Sequence, residues 1–230
     1  MTNLDLYAKV EHLLDLQEAT QALHNLYQSE LEGKEIKTLL DVGCGRGDFL
    51  EKMMQQGIQC KGVDLSQTMV DVCQKKGLDV HCIDATQVDG EFDAIVSIFD
   101  VLNFMDKKKL ISFLETMAEK LTDDGILIAD INTLYGFSDV AEGTMINENE
   151  NEFLSVDAHF QNNELHTTFT LFEKETNDMY HKYQDTIIQY FHPIKTFQNL
   201  KNLKLVEKQT FSLYDTHDKT LLIFKKKNTH

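Results

Sequence analysis

Between Leu4 and Leu31 the apolar positions Leu6, Val10, Leu13, Leu14, Ala22, Leu23 and Leu26 fall at the spacing of one or two amphipathic helices. From Ile36 onward the apolar residues gather into short runs separated by helical stretches. Ile36–Val42 reads as a buried parallel strand that ends in a glycine-rich loop. Asp48–Gln56 follows as a helix, with Gly57 at its C-cap. The alternation continues with a strand at Ile58–Val63, a helix from an N-cap at Ser66 to Lys76 that Gly77 ends, and a strand at Asp79–Ile83. Phe92–Phe99 is a fourth strand and Asp106–Leu121 a helix. Asp123-Asp124-Gly125 reads as a turn before a fifth strand, Ile126–Ile131. Such a rhythm predicts βαβ units, right-handed crossovers and a doubly wound α/β sheet.

The period changes after Asn132. Glu152–Phe160 and Glu164–Lys174 alternate as strands do, joined by Gln161-Asn162-Asn163, and a turn at Thr176-Asn177-Asp178 leads to Met179–Phe191. These segments predict an antiparallel three-stranded insert. Pro193, the single proline, can begin a helix reaching Leu203. Leu205–Tyr214 and Thr220–Lys226 then form a hairpin that returns to the main sheet. The expected division is 1–134 with 192–230 as one domain and 135–191 as the insert. No internal repeat or long linker is visible.

Composition narrows the function. Hydrophobic residues make up 42% of 230, enough for a sizeable core. The formal net charge is −16 and Arg46 is the only arginine. A nucleic-acid partner is disfavoured, because it calls for a basic face rich in arginine forks. Lys107-Lys108-Lys109 and Lys225-Lys226-Lys227 read as solvated charges. Cys44, Cys60, Cys73 and Cys82 form no Cys-x-x-Cys pair, so neither zinc nor a redox motif is indicated. No apolar run approaches the ~20 residues of a membrane span. A reduced, cytoplasmic setting is the expectation, with a monomer or homodimer.

The strongest chemical signal is Asp41-x-Gly43-x-Gly45-x-Gly47. Glycines let backbone N–H groups come close to a ligand. A dinucleotide fingerprint counted from Gly43 would need a third glycine at position 48, where Asp48 would instead repel a pyrophosphate. A cationic cofactor suits an acid-rimmed loop better. Two further acids end the next strands: Asp64, placed to accept from ribose hydroxyls, and Asp84, placed to accept from an adenine amine. Each acid alone also suits a turn or a helix N-terminus.

In order and spacing, Asp41–Gly47, Val63-Asp64-Leu65-Ser66 with Met69, Asp84-Ala85, Phe92–Val96 and Gly125–Ile128 resemble the successive motifs of the class I S-adenosylmethionine-dependent methyltransferases, over roughly residues 36–132. That resemblance implies a Rossmann-like seven-stranded sheet and S-adenosylmethionine as cofactor. It places Asp41 near the cofactor's amino end, and Gly43, Cys44, Gly45 and Gly47 near its methionine part. Asp64 falls to the ribose, Leu65 with Met69 beside adenine, and Asp84 with Ala85 at the adenine edge. Phe99-Asp100-Val101-Leu102-Asn103-Phe104 and Asp130–Tyr135 are similar to a bacterial subgroup laid out like glycine and aminosugar N-methyltransferases, in which a tyrosine, here Tyr7, closes over the cofactor. Many members of that subgroup have His-x-x-Arg near the end of the insert, where this sequence has Ile187 and Tyr190.

A methyl transfer is an in-line displacement in which positioning supplies much of the rate. Phe99, Asp100 and Asn103 end the fourth strand, beside the expected methyl group. Asp100 can accept from or orient an acceptor amine, and Asn103 can do so without charge; equally, Asp100 can cap the next helix and Asn103 can serve a loop. His159, His166, His181 and His192 read as surface or packing residues, any one of which could serve as a base. The expected activity is N- or O-methylation of a small-molecule acceptor. A non-catalytic cofactor-binding sensor and a nicotinamide-dependent oxidoreductase are the alternatives.

Overall fold

The computed structural model describes residues 3–176 and 179–227. In chain order the elements are α1 Asn3–Val10, a 3-10 turn Glu11–Leu13, α2 Gln17–Leu31, β1 Thr38–Val42, α3 Asp48–Gln55, β2 Gln59–Val63, α4 Gln67–Lys75, β3 Val80–His81 and β4 Phe92–Ser97. They continue with α5 Lys107–Glu119, β5 Leu121–Asn132, β6 Gly143–Glu148, β7 Glu152–Gln161, β8 Glu164–Lys174, β9 Tyr180–Tyr190, α6 Lys195–Gln198, β10 Leu203–Phe211 and β11 Lys219–Lys226.

Seven strands form one sheet in the order β10-β11-β5-β4-β1-β2-β3. β1 to β5 run parallel, whereas β11 runs antiparallel to both β5 and β10. The expected doubly wound sheet is therefore present, closed at one edge by the expected hairpin. Successive β1 residues face opposite ways. Leu39 joins Tyr27, Phe49 and Cys73 in one core layer, while Leu40 joins Leu114, Met117 and Phe197 in the other. Strand order reverses between β1 and β4, and in such sheets that switch point opens a crevice at the carboxyl ends of the strands.

The insert has four antiparallel strands, in the order β6-β7-β8-β9, one more than expected. The additional strand, β6, is mostly exposed along its length, so its sequence lacks the alternation that a half-buried strand shows. α1 and the turn after it bury Leu6, Val10 and Leu13 against Leu154, Phe169, Leu171 and Ile187 of the insert.

Other expectations shift locally. Asp123-Asp124-Gly125 is not a turn between elements: it lies within β5, where the pairing with β4 jumps from Phe92↔Leu121 to Ala94↔Ile126. The helix after Pro193 is a single turn, because the amides of Lys201 and Asn202 donate to the Glu115 carboxylate and draw the chain away. Ser66 holds the N-cap position of α4 without a side-chain cap bond, and its hydroxyl donates to Asp5 of α1 instead, at 3.1 Å. Of the turn expected at Thr176-Asn177-Asp178, Asn177 and Asp178 lie outside the described residues.

Candidate active site

A cavity of about 640 Å³ opens at the carboxyl ends of β1, β2, β3 and β4, roofed by α1, α2 and β9. Gly43, Cys44 and Gly45 form its floor. Asp64, Leu65, Met69, Asp84 and Ala85 line one side, Phe99 another, and Tyr7 the roof. These sequence-predicted residues thus share one space although they come from five segments.

The loop after β1 is held from below. Gly43 and Cys44 donate their amides to the Val63 carbonyl, at 2.8 and 3.1 Å. The Asp64 carboxylate accepts from the Gly45 amide at 3.0 Å and from the Ser66 amide at 2.8 Å. Burial nevertheless leaves Asp64 titrating above the ordinary carboxylate range, against the lowering effect of those amides. Each oxygen keeps lone-pair capacity for a further donor. At Gly45, with φ +53°, an added Cβ would meet nothing within 4 Å, so the backbone there faces open space.

Asp41 and Gly47 do not line the cavity; they stand behind the loop. Asp41 is 2% exposed, and its Oδ1 is buried with no hydrogen-bond partner among the described residues. Burial, with the Asp64 carboxylate nearby, pushes its pKa up to about 8. Asp84 behaves differently. Burial acts to raise its pKa, but Thr86 donates both its amide and its hydroxyl to Oδ1 and brings the carboxyl below the ordinary range.

Phe99 and Asp100 are consecutive non-glycine residues with left-handed backbones, φ 70° and 50°. Such conformations cost ~1–3 kcal/mol each and persist where the surroundings impose them. Here Asp130 accepts both amides, Phe99 at 2.8 Å and Asp100 at 2.9 Å. The resulting corner sets Phe99 against the cavity and turns Asp100 away from it. Asp100 and Asn103 therefore depart from the expected acceptor contacts. The Asp100 carboxylate accepts from Lys219, Asn132 and Gln189. Asn103 is fully buried, donating to the Tyr190 carbonyl and accepting the Asn132 amide. Neither side chain reaches the cavity wall.

The insert histidines His159, His166 and His181 are exposed, each beside a glutamate, and His192 is buried against the Met105 carbonyl. Sequence reasoning missed His24, Glu11 and Arg46, which do line the cavity. The Arg46 Nε pairs with Glu11 at 2.5 Å, joining the glycine loop to the turn after α1. Its one signal in the sequence is Arg46's place as the single arginine, inside the glycine motif. No group of three or more His, Cys, Asp or Glu side chains among the described residues could hold a metal.

Residues 39–125 match the methyltransferase-domain family. That match runs from β1 into β5 and covers less than half of the chain. A putative methyltransferase of Geobacillus sp. (strain WCH70) is 26% identical over 125 residues, covering 50% of this chain and 51% of that protein, so the chain spans about half the length of that relative. An S-adenosylmethionine-dependent methyltransferase from Clostridium acetobutylicum ATCC 824 has the same fold, with a TM-score of 0.79, 18% identity, and 96% and 98% of the two chains covered. CalS10, an amino pentose methyltransferase from Micromonospora echinaspora solved with S-adenosylmethionine bound, gives 0.71, 16%, 96% and 97%. The matched segment contains the glycine loop, Asp64, Asp84 and Phe99. α1, α2 and the insert, which roof the cavity, lie outside it.

Proposed function

We propose that this protein transfers a methyl group from S-adenosylmethionine to the nitrogen or oxygen of a small-molecule acceptor. The observation that carries the reading is the unpaired, buried Oδ1 of Asp41 behind a glycine loop whose cavity also holds Asp64 and Asp84. These acids fit the cofactor part by part. Asp41 takes the ammonium, Asp64 the ribose hydroxyls and Asp84 the adenine amine, while Leu65, Met69 and Ala85 flank the ring. Gly43, Cys44 and Gly45 approach the methionine part, and Gly47 starts α3 behind them. The bound structure of CalS10 supports the cofactor assignment by likeness of fold.

When bound, the cofactor supplies an activated methyl on sulfonium. The chain would hold the acceptor lone pair in line with that methyl group. Phe99 and Tyr7 pack around that point and exclude water. With Asp100 and Asn103 consumed by the fold, an acceptor amine arrives unprotonated or passes its proton to solvent. Residues 135–191 cover the acceptor side through Ile187 and Ile188.

Calorimetric titration with S-adenosylmethionine, S-adenosylhomocysteine and NAD tests the reading, followed by a methyl-transfer screen over amine, carboxyl and hydroxyl acceptors. Binding of the first two and not the third is expected, with turnover on an amine or hydroxyl. Absence of binding to both sulfur cofactors refutes the proposal. Binding without turnover on any acceptor points to a sensor instead.

A further inference from the structure

The corner that ends β4 depends on a residue at the far end of the chain. Lys219, at the start of β11, is 2% exposed, and its Nζ lies 2.5 Å from Asp100 Oδ1 and 3.9 Å from Asp130 Oδ2. It also sits over the Phe99 ring, 5.5 Å from the centroid. Asp130 is fully buried and accepts the Phe99 and Asp100 amides, while Tyr27 of α2 donates to its Oδ1 at 2.7 Å. Asp100 takes two further neutral donors, Asn132 of β5 at 2.9 Å and Gln189 of β9 at 2.7 Å. Two buried carboxylates thus share a single ammonium, and together they fix two left-handed residues at the cavity.

We propose that Lys219 is a positioning residue of the cofactor site: by neutralising Asp100 and Asp130 it holds the Phe99–Asp100 corner in place and so sets the cavity wall that Phe99 forms. The argument is one of charge. Without the ammonium, two buried carboxylates would face each other in a low-dielectric setting, and like charges so placed cannot both stay ionised. The corner is backbone-strained, so it keeps its shape only while its partners over-determine it. Besides each other, Asp100 and Lys219 face Asp130 from β5, Tyr27 from α2, Tyr7 from α1, and Tyr214 and Asp218 from the hairpin. Lys219 is the one cation in that set.

The inference rests on the cofactor reading, and its test keeps the two apart. S-adenosylhomocysteine, bound to the intact chain and followed by calorimetry from pH 6 to 8.5, is the probe. Lys219→Met is expected to weaken binding about tenfold at pH 8. Relative to wild type, the deficit should shrink toward pH 6, where one carboxylate of the pair regains a proton and replaces the lost charge balance. Adding Asp100→Asn to Lys219→Met removes the excess charge and should restore affinity to within about threefold of wild type. A merely structural lysine would give a pH-independent loss that Asp100→Asn does not repair, and that outcome overturns the proposal. So does wild-type affinity in Lys219→Met. If Lys219→Met fails to fold, amide hydrogen exchange on the wild-type chain decides. Phe99 and Asp100 should then exchange as slowly as Val96, and rapid exchange at the two amides overturns the proposal. Should wild type bind no S-adenosylhomocysteine, the cofactor reading fails by itself, while amide exchange still tests the corner.

Discussion

A buried carboxylate with an unpaired oxygen weakens the chain that carries it until a cation arrives. Asp41 is such a group, with its pKa raised to about 8 by burial and by Asp64. Between the ordinary carboxylate range and that value the folded chain holds a proton that the unfolded chain has lost. Asp41's contribution to stability therefore falls as pH rises from about 4 to 8. A bound ammonium reverses the sign. Binding then ionises Asp41 and expels its proton, so affinity for S-adenosylmethionine should rise by up to about tenfold per pH unit from pH 6 to 8 and level off above. Asp41→Asn should abolish that slope, lower affinity by about ten- to a hundredfold, and raise the Tm of the ligand-free chain at pH 8. Titrations across the pH range, repeated in buffers of different ionisation enthalpy, check the slope and the proton release together; a flat wild-type affinity would remove Asp41 from the site. At Asp64 the expected effect of Ala is a strong loss of cofactor affinity, and unchanged affinity would refute the ribose contact. The common placement of these acids was legible at this scale, because acids that end consecutive parallel strands fall at one edge of the sheet. Asp100 and Asn103 were not, since spacing along the chain does not show which way a side chain turns when the backbone goes left-handed.

Two glycines of the same loop separate local packing from ligand contact. Gly47, with φ +76°, caps α3 in a crowded place: an added Cβ would overlap Leu78 Cδ1 and lie 3.0 Å from Cys73 Sγ. Gly45 has open space beside it. Gly47→Ala should therefore destabilise by about 2–4 kcal/mol, combining overpacking with the cost of the left-handed backbone. Gly45→Ala carries only the backbone cost, about 1–2 kcal/mol, yet places a methyl where the cofactor would lie. Denaturant unfolding beside cofactor titration checks the contrast: stability should suffer more at Gly47, affinity relative to stability more at Gly45. A Gly45→Ala chain that binds normally would move the cofactor off the loop. β1, β4 and the later part of β5 were readable because they are buried on both faces and so are written in apolar residues. β6 and the single-turn α6 were not, because tertiary contacts make them: β6 pairs along β7 while facing solvent, and Glu115 on α5 decides where the chain leaves α6.

Over the whole molecule the cavity is a seam between a sheet edge that carries Asp64 and Asp84 and a roof of helices and insert that lies outside the matched residues 39–125. Few links cross the seam near the loop. Arg46–Glu11 is one, partly exposed on both sides at 39% and 28%, and Ser66–Asp5 is another. An ion pair that open to solvent is worth less than about 1 kcal/mol to folding, so Glu11→Gln should leave Tm within a degree or two. Its place matters more than its strength. It closes α1, and with it Tyr7, over the floor where the cofactor would sit, so breaking it lowers the barrier to opening rather than the stability of either side. Glu11→Gln is therefore expected to speed dissociation of S-adenosylmethionine by about threefold with little change in association, because mutational effects on affinity fall mostly on the off-rate. Raising salt from about 0.05 to 0.5 M should speed dissociation from wild type and barely alter the variant, since screening acts on the pair that the substitution has already removed. Stopped-flow displacement by excess S-adenosylhomocysteine reads both effects. An off-rate equally salt-sensitive in the two chains would mean that the roof is held by its apolar contacts alone, with Leu6, Val10 and Leu13 against the insert sufficient to keep it shut.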